Sequence, residues 1–280
     1  MTANLAYKKT IKEILLKNGI HLTKRLGQNF LINAGVVSKV VDAANVQKKD
    51  VVLEIGPGIG ILTQEIAKKA KLVIAIEKDK MLAEIAKETL REYGNLTIIN
   101  QDILKADIEK IFSELELAPE YKIVANLPYN IALRVLRIFL EHKTPPQTIT
   151  VIIQKEVSQK ICDSKSNLPK IAFNFYGKPK TLFYVSKGSF WPEPKVDGAV
   201  LQIIDIQKNV PLVEQALFFR ILKIGFAHPR KTILNNLSSG FSKPKKEIEE
   251  WLIKADIDFK ARPEDLVMDD WVKLTYNFKL

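Results

Sequence analysis

The chain has 280 residues, 46% of them hydrophobic, with a single cysteine and a formal net charge of +11. That length holds one large domain with room for a small one, and the composition is that of a globular protein. No apolar run reaches membrane-spanning length, no apolar stretch follows Lys8 and Lys9 to make a secretory signal, and a lone Cys162 excludes a disulfide framework.

A reducing cytoplasm is therefore the expected location. His21, His142 and His228 are too far apart for a structural metal site, and no metal is expected. The charge is uneven: +6 over residues 1–50, −1 over 51–149, +4 over 150–208 and +2 over 209–280. Basic flanks around a near-neutral centre attract polyanions through counterion release. Lysine is also a common solubilising residue, so charge alone leaves both readings open.

In chain order, Ile11, Ile14 and Leu15 at helical spacing predict a helix over Tyr7–Asn18, stopped by Gly19. A second helix is expected over Ala34–Ala44 behind Asn33 as N-cap. Strands are then expected at Val51–Ile55, Leu72–Ile76, Leu96–Ile99, Tyr121–Ala125 and Thr148–Gln154. The helices read between and after them are Ile61–Lys69, Lys80–Tyr93, Ala132–His142 and Lys155 to about Cys162. Short apolar strands alternating with helices predict a mainly parallel α/β sheet. Phe183–Val185 and Ala199–Ile206 lack an intervening helix and predict an antiparallel hairpin at its edge. From Pro211 the pattern is helical: Val213–Gly225, Lys231–Leu237, Lys245–Ala255 and Pro263–Phe278. The expected division is an α/β domain over 1–208, with a basic N-terminal extension, and a small all-helical domain over 209–280.

Glu54-Ile55-Gly56-Pro57-Gly58-Ile59-Gly60 joins the first of these strands to a helix. Glycines let a backbone pass close to a ligand, and the helix N-terminus behind them favours polar or negative groups. Glu77 ends the next strand and can accept both ribose hydroxyls of an adenosine. The glycine spacing differs from the G-x-G-x-x-G of dinucleotide sites. S-adenosylmethionine, which has no pyrophosphate to hold, fits better. Asp102 then suits its adenine amine, although the same residue serves equally as a helix cap. Glu77, Asp102 and Asn126 end successive strands, the edge where open α/β sheets bind ligands.

Asn126-Leu127-Pro128-Tyr129 follows the strand Tyr121–Ala125. These residues pack poorly at a strand end but suit a pocket for an exocyclic amine. The Asn126 side-chain oxygen and the Leu127 carbonyl accept its N–H groups, Pro128 stiffens the turn, and Tyr129 offers a ring for stacking. Phe190, with Trp191 second, is the candidate for the other ring, although loop aromatics more often simply pack. Methyl transfer to such an amine is an alignment problem that needs no strong base.

Several segments in order resemble the ribosomal RNA adenine N6-dimethyltransferases of the KsgA type. They are Leu26-Gly27-Gln28-Asn29-Phe30-Leu31, Glu54–Gly58, Asn126–Ile131, Gln154–Val157, Phe190–Asp197 and Arg230–Leu237, and the resemblance runs from Leu22 to Tyr276. It implies a Rossmann-like, class I S-adenosylmethionine-dependent methyltransferase sheet with a helical C-terminal domain. It implies dimethylation of two adjacent adenosines near the 3′ end of small-subunit rRNA, by a monomer working on an immature small subunit. By this resemblance Asn29 and Leu31 close over the cofactor with Gln28 nearby, and Gly56, Gly58, Glu77, Asp102 and Asn126 hold it. Asn126, Leu127, Pro128, Tyr129 and Phe190 form the reacting end. Lys24 and Arg25, with Arg230, Lys231 and the C-terminal helices, meet RNA. The chain departs from the family at Ser164–Lys170, at Ala227-His228-Pro229 and at Gly198, where serine is usual. These changes bear on RNA contacts rather than on the reaction.

Three other readings compete. A large-subunit rRNA methyltransferase of the macrolide-resistance type is the nearest, and the Phe190–Asp197 and Arg230-Lys231-Thr232 segments favour the small-subunit enzyme. An NAD-dependent oxidoreductase lacks its third glycine at dinucleotide spacing. A non-catalytic assembly factor has no need for Glu77, Asp102 and the Asn126–Tyr129 turn.

Overall fold

The computed structural model describes Leu5 and residues 8–19, 29–206 and 212–278, with residues 212–214 in backbone alone. Its first elements are α1 (Lys8–Lys17), β1 (Phe30–Leu31), α2 (Ala34–Ala43), β2 (Val51–Ile55), α3 (Ile61–Ala67), β3 (Leu72–Glu77) and α4 (Lys80–Thr89). Then follow β4 (Leu96–Asn100), α5 (Ile108–Glu114), β5 (Lys122–Asn126), α6 (Ala132–Leu140), β6 (Thr148–Gln154) and α7 (Lys155–Ile161). The remainder is α8 (Leu168–Tyr176), β7 (Lys178–Val185), β8 (Phe190–Trp191), β9 (Gly198–Ile204), α9 (Leu212–Gly225), α10 (Ile233–Phe241), α11 (Lys245–Lys254) and α12 (Met268–Tyr276). They form two compact units, Met1–Ser158 with Lys180–Ile206, and Gln159–Pro179 with Gln207–Leu280.

The first unit is built on a seven-stranded sheet of order β4-β3-β2-β5-β6-β9-β7. From β4 to β6 the neighbours are parallel, and β9 runs antiparallel to β6. All five residues of β2 are buried, as in a strand covered by helices on both faces. Val52, Val73, Val124, Ile152 and Val200 of the sheet share one core with Val40 of α2, Ile66 of α3 and Ile85 of α4. Each such side chain contributes about 1.5–3 kcal/mol by leaving water. The chain winds outward from β2 in both directions, so a crevice opens beyond the carboxyl ends of β2 and β5.

The parallel strands and the edge pair β9–β7 match the sequence expectation. Strand β7 begins at Lys178, earlier than the Phe183 expected, because Lys178 and Lys180 are exposed on an edge that tolerates them. Helices α5 and α8 were not anticipated. Both carry N-caps: Asp107 Oδ1 accepts from Lys110 N at 2.9 Å, and Asn167 Oδ1 from Lys170 N at 2.9 Å. A separate two-stranded ribbon pairs Phe30 with Trp191 and Leu31 with Phe190.

The second unit is helical, with Phe218, Leu222, Ile233, Leu237, Trp251 and Trp271 in its core. Of its two buried indoles, that of Trp251 is anchored by Nε1 donating to the Leu274 carbonyl at 3.0 Å. The sequence placed 209–280 alone here; Gln159–Pro179 groups with it because α8 supplies part of this core. Ile171 is buried in it, and the Phe175 ring stacks on Phe218 at 4.3 Å between centroids.

Candidate active site

A cavity of about 490 Å³ lies at the carboxyl ends of β2, β3, β4 and β5. Its wall includes Asn29, Leu31, Gly56, Gly58, Glu77, Asp102 and the whole turn Asn126–Tyr129. Most of the residues that the sequence singled out for a cofactor or for the reaction thus meet in one space. Gln28, Lys24 and Arg25 lie outside the described residues.

The glycine turn forms the floor. Gly58 has φ +59°, and a Cβ there would fall 2.8 Å from the Phe30 ring, so the turn and the β1 ribbon approach as only glycine permits. Gly58 N–H donates to Glu77 Oε2 at 3.0 Å, and Asp79 N–H donates to Oε1 at 2.9 Å. Glu77 is buried, and burial raises its pKa while these backbone donors oppose the rise. Each carboxylate oxygen keeps a lone pair for a further donor, such as a ribose hydroxyl. Gly60, at φ +92°, has another purpose: a Cβ there would stand 2.5 Å from Leu90 Cδ1, just past the end of α4. The third glycine serves helix packing.

Asp102 is the cap that its sequence position allowed, and it stands on the cavity wall as well. Its Oδ1 caps the short 3₁₀ turn after β4, accepting from Leu104 N at 3.1 Å, while it also lines the cavity. Lys78 Nζ pairs with Oδ2 at 2.9 Å, and that hydrogen bond holds the carboxyl below the usual range.

Asn126 ends β5 with its amide fixed. Nδ2 donates to the Asn29 carbonyl at 2.9 Å, and only the donor end of an amide can face a carbonyl. Oδ1 is thereby left as the acceptor. Leu127 N–H donates to the Ile152 carbonyl at 3.2 Å, and the Pro128 carbonyl accepts from Ile131 N at 3.1 Å, so the turn is pinned on both sides. Tyr129 lines the cavity with its hydroxyl buried and unpartnered. Burial pushes its pKa up to about 12, with the Asp197 and Glu156 carboxylates adding to the effect, so it is a neutral phenol at physiological pH.

Phe190 departs from expectation. It is 2% exposed, packs in the core and does not line the cavity. Its ring fills space beside Gly198, where an added Cβ would lie 3.4 Å from both Phe190 Cζ and the Tyr129 hydroxyl. Packing, the alternative open for a loop aromatic, is what this ring does. Arg230 and Lys231 are exposed in the turn before α10 in the second unit, where Lys231 N–H donates to the His228 carbonyl at 2.9 Å.

Sequence reasoning missed Glu54 as a site residue. It is 1% exposed, lines the cavity, and its Oε2 has no hydrogen-bond partner. Burial pushes its pKa up to about 8; the Thr63 hydroxyl opposes this and the Glu77 carboxylate adds to it. The signal was present: a lone carboxylate inside the otherwise apolar Val51–Ile55.

A family model described as ribosomal RNA adenine dimethylase matches residues 19–279. Ribosomal RNA small subunit methyltransferase A of Bacillus cereus (strain AH187) is 39% identical over 273 residues, covering 94% of each chain, and that of Bacillus anthracis (strain CDC 684 / NRRL 3495) matches to the same extent. Among solved structures, a dimethyladenosine transferase from Plasmodium falciparum has a TM-score of 0.71 and 25% identity, covering 86% of this chain and 94% of its own. The 23S rRNA methyltransferase ErmE has a TM-score of 0.70 and 23% identity over 89% and 99%, a likeness of fold. With a Rossmann-like class I methyltransferase sheet, a helical C-terminal part and this match over nearly its whole length, the chain belongs to the ribosomal RNA adenine dimethylase family.

Proposed function

We propose that this enzyme dimethylates N6 of two adjacent adenosines near the 3′ end of small-subunit (16S) rRNA during ribosome assembly, using S-adenosylmethionine. The observation that carries the reading is the fixed amide of Asn126, an acceptor on the wall of a cavity that also holds Glu77 and Asp102.

The cavity's residues fit that cofactor. Glu77 suits the ribose hydroxyls, Asp102 the adenine amine, and the buried, unpartnered Glu54 oxygen calls for a donor. The cofactor supplies an activated methyl group and its own leaving group. Everything else falls to the chain. Asn126 Oδ1 and the Leu127 carbonyl accept the two N–H groups of the target amine and aim its lone pair. Tyr129 stacks on the base, which must leave its helix to enter. The Tyr129 phenol stays protonated, so the proton lost from the product goes to water. Asn29 and Leu31 close the cofactor side. Arg230 and Lys231 of the second unit, with Lys24, Arg25 and Gln28 of the N-terminal flank, complete the RNA and cofactor contacts. The enzyme acts as a cytoplasmic monomer on the immature small subunit; among the described residues no helix is long and apolar enough to cross a membrane.

Transfer of labelled methyl groups to undermethylated small subunits, followed by primer extension on both rRNAs, tests this reading. Stops at two neighbouring adenosines of small-subunit RNA are expected. A stop confined to large-subunit RNA would overturn the choice of substrate.

A further inference from the structure

Strand β7 is the last of the sheet, beyond β9. Val185 at its end is buried in the core, so the period of two turns its neighbour Tyr184 outward. Tyr184 is 53% exposed, a large ring offered to solvent. It is nonetheless held. Lys155 Nζ, from the start of α7, stands over the ring at 5.0 Å from its centroid, a cation–π contact, and 4.0 Å from Asp197 Oδ2. Asp197 is fixed in turn: its carbonyl accepts from Lys155 N at 3.0 Å, and its Oδ1 from Lys187 N at 3.0 Å. The next residue, Gly198, pairs with Gln154 at the carboxyl end of β6, and an added Cβ there would lie 3.4 Å from the Tyr129 hydroxyl. A short path thus leads from the Tyr129 ring on the cavity wall, past Gly198 and Asp197, to Lys155 and the exposed ring of Tyr184. In the sheet β7 is the third strand beyond β5, about 14 Å along the edge on which the cavity opens.

An adenine drawn into the cavity leaves its stack and unstacks its neighbours. Unstacked bases are held on aromatic faces, and their phosphates by cations. This edge offers both. Lys155 lies against the ring, Lys180 is exposed on the same face of β7, and the stretch 150–208 that builds the edge carries a net +4. We propose that Tyr184, backed by Lys155, is a stacking platform for a nucleotide that flanks the adenosine held in the cavity. Lys155 holds one face of the ring and the flanking base takes the other, with Lys155 and Lys180 meeting the phosphates. Stacking on a ring does not read base identity, so the platform fixes where the strand lies rather than which base is chosen. Its contribution is affinity for RNA, and the alignment of methyl donor and amine stays with the residues of the cavity. This inference deepens the rRNA methylation reading and rests on it for the target adenosine.

Labelled methyl transfer by the full chain, at varied concentrations of undermethylated small subunits, measures the platform's share. Tyr184→Ala is expected to raise KM for the subunits about tenfold, the scale of one lost base stack, with kcat within about twofold. Tyr184→Phe keeps the ring and is expected to recover the low KM. An unchanged KM in Tyr184→Ala, or equal impairment in Tyr184→Phe, overturns the platform. Affinity for S-adenosylhomocysteine, read by calorimetry, is expected to be the same in both variants, and a parallel loss there would overturn the assignment to RNA. A photoreactive benzophenone side chain introduced in place of Tyr184 gives an independent answer. Its adduct with the subunit is expected on rRNA, at a nucleotide flanking the methylated adenosines, as primer extension would map it. Capture of a ribosomal protein instead, or of rRNA remote from the methylated position, overturns the inference. Methylation confined to large-subunit RNA would overturn the choice of substrate alone, since the adduct beside whichever adenosine is methylated still decides the platform.

Discussion

One amide at Asn126 serves two ends. Its nitrogen is held by the Asn29 carbonyl, which fixes the direction of its oxygen, and in the proposed reaction that oxygen accepts from the target amine. Asn126→Ala removes the acceptor and leaves the Asn29 carbonyl without this donor. Its kcat is expected to fall about a hundredfold or more, the scale of losing one preorganised polar contact, with rRNA affinity within about twofold. Labelled methyl transfer and filter binding read the two quantities, and an unchanged kcat would place amine positioning elsewhere. Glu54 yields a prediction for the empty protein. Its folded pKa, about 8, lies above the ordinary 4.5, so between those values the folded state holds a proton that the unfolded state has released. Stability therefore falls as pH rises through this window, by about 1.4 kcal/mol per unit from this group, and levels off above it. Denaturant midpoints of the unliganded protein should drop across that range, and Glu54→Gln should flatten the slope. Glu77, Asp102 and Asn126 were legible because a polar residue closing an apolar strand announces itself. Phe190 was not, because what surrounds its ring comes from distant positions such as Leu31 and Gly198.

The turn from β2 into α3 divides its work among its glycines. The floor of the cavity depends on Gly56 and Gly58, while Gly60 admits Leu90 against the start of α3. Gly60→Ala combines a left-handed backbone with a 2.5 Å approach to Leu90, and about 1–3 kcal/mol of destabilisation is expected. A thermal melt checks it; an unchanged Tm would mean that Leu90 moves aside freely. Helices α5 and α8 escaped a reading based on apolar spacing, yet Asp107 and Asn167 marked their starts. Asp107→Ala is expected to cost about 1 kcal/mol, the usual value of such a cap, as denaturant titration would show. The register of the β1–β8 ribbon was beyond reach for a different reason: two residues on each side carry no periodicity.

For the molecule as a whole, a charge of +11 concentrated in the flanks makes the encounter with RNA electrostatic. Affinity for small-subunit rRNA should fall linearly on a log–log plot against salt, and Arg230→Ala should reduce that slope by about 1 if the side chain meets a phosphate. A slope identical to that of the unsubstituted protein would remove Arg230 from the contact. The amino-acid order by itself determined the alternation of strand and helix, the glycine turn and the polar strand ends, since each is a local pattern of period or of residue type. It also carried enough ordered motifs to point to the family. Only the tertiary structure decided that Phe190 packs in the core, that α8 belongs with the C-terminal helices, and that Asp102 caps a turn while paired with Lys78. It alone revealed Glu54 as a carboxylate on the cavity wall with an unpartnered oxygen. Burial, partnership and the proton on a carboxyl depend on neighbours brought from elsewhere in the chain, and no local pattern records them.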